Sequence, residues 1–436
     1  SMETAIAIHW FRRDLRLDDN HALYRALRCG LPVMPIFIFD STILDELSDK
    51  SDARVTFIYD TLKELDKQLQ HYGSSLKIFY GTPAEIWEEI TKKYSVKAVF
   101  FNRDYEPYAL SRDTMIENAL RKKGIDVWNY KDQVIFEQND ITKDNGSPYT
   151  VYTPYSKKWR HTITEEHYQP FLCKQYYSQF LKVKIPFPNL DMIGFSRTSI
   201  ALPPCTIDTA QIMRYHTTRD LPAVDDTTRL GIHLRFGTIS IRSLLTIALQ
   251  SNETFVKELQ WREFFMQILW HFPYVVHNAF RPEYDAIQWR NNEEEFIAWT
   301  QGKTGYPLVD AGMRQLNATG FMHNRVRMVT ASFLCKHLLI DWRKGEHYFA
   351  EKLLDFELSA NNGNWQWAAG TGCDAAPYFR VFNPTMQQEK FDPEFRYCKQ
   401  WISELGTGSY PAPIVEHTFA RERALQTYKA ALQSHT

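Results

Sequence analysis

Residues 1–132 alternate between short runs of β-branched or aromatic residues and longer stretches with helical periodicity, and this alternation constrains the fold most strongly. Strands that alternate with helices build right-handed βαβ units and hence a parallel, Rossmann-like sheet. Thr82 before Pro83 predicts a helix N-terminus with proline at its first position. No Gly-x-Gly-x-x-Gly motif follows a strand, which argues against the usual mode of dinucleotide binding. The predicted strands are Ala5–Phe11, Val33–Phe39, Leu76–Tyr80, Val96–Asn102 and Ile125–Tyr130, and the predicted helices lie near Asn20–Arg28, Val55–Tyr72, Pro83–Lys93 and Ser111–Lys123.

The rest of the chain has a different character. Lys184–Pro204 is rich in Pro and Ser and lacks a hydrophobic period, which is typical of a linker over the surface. From about residue 207 onward, apolar residues recur at helical spacing and strand-like runs are missing. We therefore predict an α/β domain at 1–132, a linker at 133–206 and an all-α domain at 207–436.

Charge and cysteine content exclude several classes of protein. The formal net charge of −1 argues against coating nucleic acid through overall positive charge, although a local basic patch remains compatible with it. The 6 cysteines show no Cys-x-x-Cys spacing, so we expect free thiols in a reducing cytosol and no metal site. Neither a signal peptide nor an apolar run of about 18 residues is visible, and we expect a soluble cytoplasmic protein.

A helical stretch at Lys257–Met266 places four unlike side chains on one face. Glu258, Trp261, Arg262 and Phe265 stand at i, i+3, i+4 and i+7. This stripe could stack a base, pair a phosphate and hydrogen-bond a base edge. A solvated face with an intrahelical Glu–Arg pair is an equally good interpretation of the stretch by itself.

A second helical stretch, His323–Met328, carries Asn324 and Met328 on one face with Arg325 and Arg327 beside it. Two arginines near an amide favour phosphate contact together with base contact. Arginines that cap or bridge helices are the alternative.

Asparagines and tryptophans are concentrated in Asp355–Trp367. Asn361 and Trp365 stand at i and i+4, so in a helix both could face one ligand. Trp365 and Trp367 are two apart and cannot share a helical face. Two core tryptophans are the alternative. Separately, the hydroxyl-rich segment 227–231 could bind a phosphate at a helix N-terminus, or could be a plain N-cap.

These motifs together resemble the photolyase/cryptochrome family over essentially the whole chain. The matching segments are Trp10–Leu17 with Asp19 and Asn20, Thr150–Tyr155, Gly302–Pro307 and, most specific, Gly363–Trp367. The resemblance implies an α/β antenna domain and a helical domain that holds FAD, active as FADH⁻, in a folded conformation. It also implies a monomer that acts on UV-damaged DNA, associated with the nucleoid if the source is prokaryotic.

The resemblance assigns roles to individual positions. Glu258, Asn324, Asn361 and Met328 would take part in the reaction, and Trp365, Trp342 and Trp289 would carry electrons between flavin and surface. FAD would be bound by Tyr215, Thr227, Thr228, Arg229, Leu230, Gly231, Asp355, Phe356, Glu357 and Asn361. Lesion-containing DNA would be bound by Glu258, Trp261, Arg262, Asn324, Arg325, Met328, Trp367 and Arg380.

Within the family, three features point to the class I photolyases that split cyclobutane pyrimidine dimers. Asn324 and Met328 replace the histidines of (6-4) photolyases, Asn361 replaces the Asp of plant cryptochromes, and Trp367 replaces the Tyr of the cryptochrome-DASH branch. The antenna signals are weaker. Arg54, Tyr105 and Glu106 resemble members that bind 8-hydroxy-5-deazaflavin, with FMN, methenyltetrahydrofolate or an empty pocket as alternatives.

Overall fold

In the computed structural model, which describes residues 4–224 and 229–435, five parallel strands form a single sheet. The strand order is β3-β2-β1-β4-β5, and β1 lies in the middle with Ala7 opposite Val33 on one side and Ala98 on the other. All the strands predicted from the sequence are present. Their bounds are β1 Ala5–Phe11, β2 Val33–Asp40, β3 Lys77–Gly81, β4 Ser95–Asn102 and β5 Asp126–Tyr130.

Helices cover both faces of this sheet because β1 and β2 are apolar on both sides. On β2, Ile36 and Ile38 enter one core cluster, while Phe37 and Phe39 enter the other. This alternation is the period of two expected for a strand. The short helix at Ser41–Leu44 is the one helix of this region that the sequence did not predict. The helices are α1 His21–Leu27, α2 Ser41–Leu44, α3 Ala53–Gln70, α4 Pro83–Lys93 and α5 Pro107–Lys122.

The remainder of the described chain is helical, which confirms the predicted fold class. One π-helical turn at Phe333–His337 continues α14. Within the described residues, no helix combines the length and the apolar character needed to cross a membrane. The helices are α6 Tyr152–Thr162, α7 Thr209–Met213, α8 Tyr215–Thr218, α9 Gly231–Phe236, α10 Ile241–Ser251, α11 Glu253–His271, α12 Glu293–Thr300, α13 Pro307–Thr319, α14 Asn324–Ser332, α15 Trp342–Lys352, α16 Leu358–Ala369, α17 Pro384–Phe391, α18 Arg396–Trp401 and α19 His417–His435.

The packing divides the chain differently from the predicted boundaries. One compact unit comprises Ser1–Glu137, Thr162–Thr206 and Leu230–Ile247, and the other comprises Gln138–His161, Ile207–Arg229 and Ala248–Thr436. The chain therefore passes from the first unit to the second, returns to the first twice, and enters the second for the last time at residue 248. A single boundary at residue 206 was wrong for residues 230–247.

Much of the predicted linker is packed rather than loose. Cys173, Tyr177 and Phe180 are buried in a core cluster on the sheet, and the Leu181 amide donates to the Val33 carbonyl at 2.8 Å. These residues lie in or beside short 3₁₀ turns, which have no sustained hydrophobic period. The sequence pattern therefore could not reveal their burial.

The N-terminal motif explains why residues 230–247 belong to the first unit. Arg16 and Arg242 both donate to the carboxylate of Asp132 at 2.6 Å, and all three side chains are largely buried. Burial alone would raise the pKa of Asp132, but the two guanidinium groups outweigh burial and lower it. Beside this network the Leu15 amide donates to the Phe236 carbonyl at 3.0 Å, and Gly237 follows with φ of +67°. The motif is therefore a structural clamp within this unit.

The motif Gly302–Pro307 is also structural. The buried Asp310 carboxylate accepts hydrogen bonds from the Thr304 amide and hydroxyl, the Gly305 amide and the Tyr410 hydroxyl. Four donors satisfy a carboxylate that would otherwise be expensive to bury. This cluster anchors the start of α13 in the helical core.

We expect Gly237→Ala to destabilise the protein by about 3 kcal/mol or more, because backbone must move to admit a Cβ. A Cβ at this position would lie 2.1 Å from the Arg13 carbonyl oxygen. Gly124→Ala is the matched control, since its φ is +78° and no atom lies within 4 Å of the new Cβ. The control should cost about 1 kcal/mol. Urea unfolding of both variants measures the difference, and equal losses would contradict the packing argument.

Candidate active site

Two helices of the second unit, α11 and α16, meet where residue 363 has no side chain. A Cβ on Gly363 would lie 2.2 Å from the ring of Phe265. This close approach places Trp261 of α11 and Trp367 of α16 in the lining of one pocket. About 360 Å³ of empty space lies between its lining residues, a figure that includes space open to solvent. The two indoles that the resemblance assigned to DNA binding are thus brought together.

Helix α16 separates its two tryptophans, as the spacing predicted. Trp367 lines the pocket, whereas Trp365 is 1% exposed and packs in the core of the helical unit. Its ring lies 4.9 Å from that of Phe349, and a Cβ on Gly345 would come within 2.1 Å of it. One helix therefore serves the core with one indole and the pocket with another.

Trp261 is held flat by an aromatic neighbour. Its ring stacks on Tyr152 with centroids 3.8 Å apart and an interplanar angle of 5°. The Tyr152 hydroxyl in turn donates to Gln260 at 3.2 Å. The indole is therefore supported on one face by a fixed ring.

Glu258, three residues before Trp261 on α11, has a guanidinium group and a hydroxyl beside it. Arg219 contacts its carboxylate at 3.2 Å, and Tyr215 hydrogen-bonds to it. Burial raises the pKa of Glu258, while Arg219 and the Tyr215 hydroxyl partly oppose that rise. Tyr215, which the sequence assigned to FAD, is thus a neighbour of the predicted catalytic carboxyl.

Asp220, which follows Arg219 in the chain, forms an ion pair with Arg325, another predicted DNA contact. Both Nε and Nη2 of Arg325 donate to one Asp220 oxygen, at 3.1 and 3.0 Å. The guanidinium also lies 4.4 Å from the ring centroid of Phe391. Arg219 and Asp220 therefore bring Glu258 and Arg325 to the same side of the unit. Asn324 is exposed and Met328 is half-buried on the same helix as Arg325.

A cationic cluster lies around Phe321. The guanidinium groups of Arg229 and Arg327 lie 4.5 and 5.4 Å from the ring centroid. Arg327 also makes a two-pronged ion pair with Asp355, at 2.9 and 3.2 Å. Arg229 has φ of +49°. Two arginines on one ring suit a ligand that carries phosphates.

The amides at the start of α16 are held by α15. The side chain of Asn361 donates to the Glu346 carbonyl oxygen at 3.0 Å, and that of Asn362 donates to the Glu346 carboxyl at 2.9 Å. Burial raises the pKa of Glu346 to about 8, although Asn362 and Arg343 oppose the rise. The Glu346 carboxyl thus holds Asn362, while the Glu346 backbone holds Asn361, the predicted flavin-facing amide.

The other predicted FAD residues are placed as follows. Glu357 is the buried N-cap of α16, and Phe356 beside it is half-buried. Leu230 and Gly231 fall in the first unit, where Gly231 begins α9. Thr227 and Thr228 lie outside the described residues.

Unsatisfied polar atoms test whether these residues fit FAD. Within the described chain, the buried atoms without a hydrogen-bond partner include His323 Nε2, Ser359 Oγ and Trp365 Nε1. Two of them lie on α16 and the third precedes α14, the helices that carry Asn361 and Arg327. Buried polar groups are nearly always satisfied in a complete structure. The residues present therefore fit a large polar ligand with phosphates.

The three predicted electron carriers belong to one core cluster. Trp365 and Trp342 are each 1% exposed, and Trp289 is partly exposed at the edge of the cluster. Trp289 also contacts Tyr428 edge to face at 6.0 Å. Burial therefore decreases from Trp365 toward Trp289.

The three predicted antenna residues are each engaged by a polar side chain of the first unit. Arg54 pairs with Asp52 at 2.7 Å at the start of α3. The Tyr105 hydroxyl donates to Glu137 at 2.5 Å, and Glu106 pairs with Arg235. Each of the three has a structural partner in the first unit.

Two predicted DNA contacts are at different depths. Arg262 is half-buried on α11, and Arg380 is exposed after α16.

The sequence analysis missed several residues that hold the site, and their signal was absent because each acts through a distant partner. They are Tyr152, Arg219, Asp220, Phe321 and Glu346.

Two family models match the chain. The model for DNA photolyase matches residues 7–173, and the model for the FAD-binding domain of DNA photolyase matches residues 255–409. The second match covers α11, α14, α15 and α16. The chain thus contains the FAD-binding domain that the resemblance implied.

Curated relatives and solved structures agree. The chain is 35% identical to a deoxyribodipyrimidine photo-lyase from Agrobacterium fabrum, over 99% of both chains, and 36% identical to the one from Escherichia coli, over 97% and 98%. A class III photolyase structure from Agrobacterium tumefaciens matches with a TM-score of 0.87 at 34% identity, over 99% of both chains. A photolyase structure from Sulfolobus tokodaii that contains two FAD molecules matches with a TM-score of 0.80 at 34% identity, over 97% and 99%. The chain belongs to the DNA photolyase family.

Proposed function

We propose that this chain is a deoxyribodipyrimidine photo-lyase that repairs cyclobutane pyrimidine dimers after they are flipped out of the duplex into the pocket between α11 and α16. The observation that carries the proposal is the meeting of Trp261 and Trp367 in one pocket, with Trp365 on the other face of the same helix. A pocket with two indole walls suits a flat, stacked pair of bases. The lesion stacks and pairs poorly in DNA, so flipping it costs less than flipping normal bases.

The polar residues near α11 orient the lesion. Glu258 has a raised pKa, which favours a protonated carboxyl that can donate to a base carbonyl. Asn324 is exposed at the start of α14, where it can reach a base edge. Arg325 keeps donors that Asp220 does not use, and these suit a lesion phosphate.

The FAD cofactor would be held by residues of both cationic and amide character. Arg229 and Arg327 would hold its phosphates, and Asn361, whose side-chain amide donates to the Glu346 carbonyl, would hold its ring system. Reduced FAD, when bound, would supply a photoexcited electron to open the dimer and would take it back afterwards, so the reaction would have no net redox change. The protein contributes orientation, exclusion of water and a fixed electrostatic environment.

The first unit would hold an antenna. We keep Arg54, Tyr105 and Glu106 as the proposed contacts, with 8-hydroxy-5-deazaflavin as the first candidate and FMN or methenyltetrahydrofolate next. The second FAD of the Sulfolobus tokodaii structure supports a flavin as an antenna in this family. Release of the chromophores from purified protein and their identification by mass would decide among them.

We expect Glu258→Ala and Asn324→Ala to retain FAD but to slow light-dependent dimer removal by about tenfold or more, since each loses a hydrogen bond to the lesion. The measurement is repair of a duplex with one thymine dimer, in light and in darkness. Glu253→Ala on the same helix is the control, because its carboxylate is 60% exposed. Unchanged repair in both variants would exclude these residues from the reaction.

Substitution of the two α16 tryptophans should separate electron supply from lesion binding. Trp365→Phe should slow photoreduction of oxidised FAD while protein reduced in advance still repairs. Trp367→Ala should weaken binding of the lesion duplex by about tenfold, through lost stacking, while photoreduction continues. Transient absorption and fluorescence anisotropy measure the two effects. The division of roles fails if both variants lose the same activity.

Glu346 should make stability depend on pH. Its folded-state pKa of about 8 exceeds the ordinary value of 4.5, so between them the folded protein binds more protons than the unfolded chain. Stability from this group therefore falls as pH rises across that interval. Glu346→Gln should flatten this fall in thermal unfolding, whereas Glu351→Gln, on an exposed part of α15, should not. Parallel curves for all three proteins would show that Glu346 is not protonated.

A further inference from the structure

A lysine is buried in the helical unit without an acidic partner. Lys336 lies on the π-helical turn that continues α14 and is 2% exposed. Within residues 4–224 and 229–435 it forms no ion pair with a carboxylate. Burying an unpaired ammonium is costly, and an apolar side chain of the same length would fill the space more cheaply. The position therefore calls for an explanation other than packing.

The ammonium is aimed at one backbone carbonyl. Nζ donates to the carbonyl oxygen of Tyr378 at 2.7 Å, a short, charge-assisted hydrogen bond. Nζ also lies 4.8 Å from the ring centroid of Tyr428 on α19. The Tyr428 ring stacks on Tyr378 at 5.8 Å, and its hydroxyl donates to the Ala369 carbonyl. Lys336 thus holds the backbone of Tyr378, and Tyr428 holds its ring.

Tyr378 belongs to the segment 377–382, which leads from this anchor toward the pocket. Phe379 is 53% exposed, Arg380 is exposed, and the Arg380 amide donates to the Pro377 carbonyl at 3.0 Å. At the far end, the ring of Phe382 lies 6.0 Å from that of Trp367. The carbonyl held by Lys336 therefore precedes the two exposed side chains directly and sets the direction in which they leave the protein.

We propose that Lys336 is a positioning residue for DNA binding, which acts through the Tyr378 carbonyl to hold Phe379 and Arg380 against the duplex beside the lesion pocket. The proposal rests on the proposed function, since it assumes that lesion-containing DNA is the substrate. Lys336 itself touches neither DNA nor flavin. Its effect should appear in affinity and not in the photochemical step.

The neighbours of Lys336 leave its charge sensitive to pH. Burial lowers the pKa of Lys336 from 10.5 to about 8, and Cys335 beside it opposes this only weakly. Burial keeps Cys335 and Tyr428 neutral by raising the pKa of each, and it keeps His337 neutral by lowering its pKa to about 3. Arg423 on α19 lies on the other side of His337 and adds positive charge. Asp341 adds negative charge near Cys335 and Tyr428 and helps to keep both neutral, but in the described part of the chain it pairs with Arg343 and not with Lys336.

The sign of the pH effect differs between stability and binding. Between about 8 and 10.5 the unfolded chain binds more protons at this lysine than the folded protein does, so stability from this group rises with pH. Over the same interval the hydrogen bond to Tyr378 changes from a charged to a neutral donor and weakens. A merely structural lysine would affect stability alone.

The first experiment compares Lys336→Met with Lys429→Met, an exposed control on α19. We expect Lys336→Met to bind FAD normally and to weaken binding of a thymine-dimer duplex about tenfold in darkness, with repair at saturating DNA unchanged. The control should match the wild type in both. Wild-type affinity in a correctly folded Lys336→Met protein would overturn the proposal.

A second measurement remains valid if Lys336→Met does not fold. The dark affinity of wild-type protein for the same duplex should fall by about threefold as pH rises past 8. Arg380→Ala should bind more weakly throughout and show a smaller fall, because one of the two held side chains is gone. An identical pH profile in the two proteins would overturn the proposal. Failure of the wild type to bind or repair the dimer at any pH would instead overturn the proposed function.

Discussion

The approach of α11 to α16 depends on the missing side chain at residue 363. Phe265 occupies the space that a Cβ would need, so the two helices can pack at this distance only with glycine there. The same contact places Trp261 and Trp367 on the walls of one pocket and leaves Trp365 in the core. Packed interiors tolerate little displacement. The geometry of the proposed lesion site is therefore a consequence of one helix crossing.

Arginine has several distinct roles in this protein, and only the partners distinguish them. Arg16 and Arg242 both donate to Asp132 in a buried network that holds residues 230–247 in the first unit. Arg325 shares one Asp220 oxygen and retains donors for a phosphate. The sequence does not distinguish structural arginines from ligand-binding ones, because a basic residue beside an apolar one indicates neither a buried ion pair nor a ligand contact. The N-terminal motif is therefore diagnostic of the family, although its Arg16 has a structural role in this protein.

Two of the buried groups with shifted pKa values lie around the proposed site rather than in its walls. Glu346 supports the amides of α16, and Lys336 supports the backbone before Arg380. Both groups are costly to bury and both hold a part that would otherwise move. The pocket between α11 and α16 is itself lined mostly by uncharged side chains, with Asp374 as the charged residue of its lining.

The sequence by itself determined the strands, the helical second half, the opposite faces of Trp365 and Trp367, and the family, because these follow from local periodicity or from long motifs. It also identified Glu258, Asn324, Arg325 and Asn361 as site candidates through their residue types at matching positions. Only the tertiary structure decided that residues 162–206 and 230–247 pack with the sheet, since short 3₁₀ turns and long-range ion pairs leave no periodic signal. It also decided that Tyr152 supports Trp261, that Arg219 and Asp220 join Glu258 to Arg325, and that Lys336 holds Tyr378. These pairs are separated by tens of residues or more, and contacts over such separations are created by packing alone.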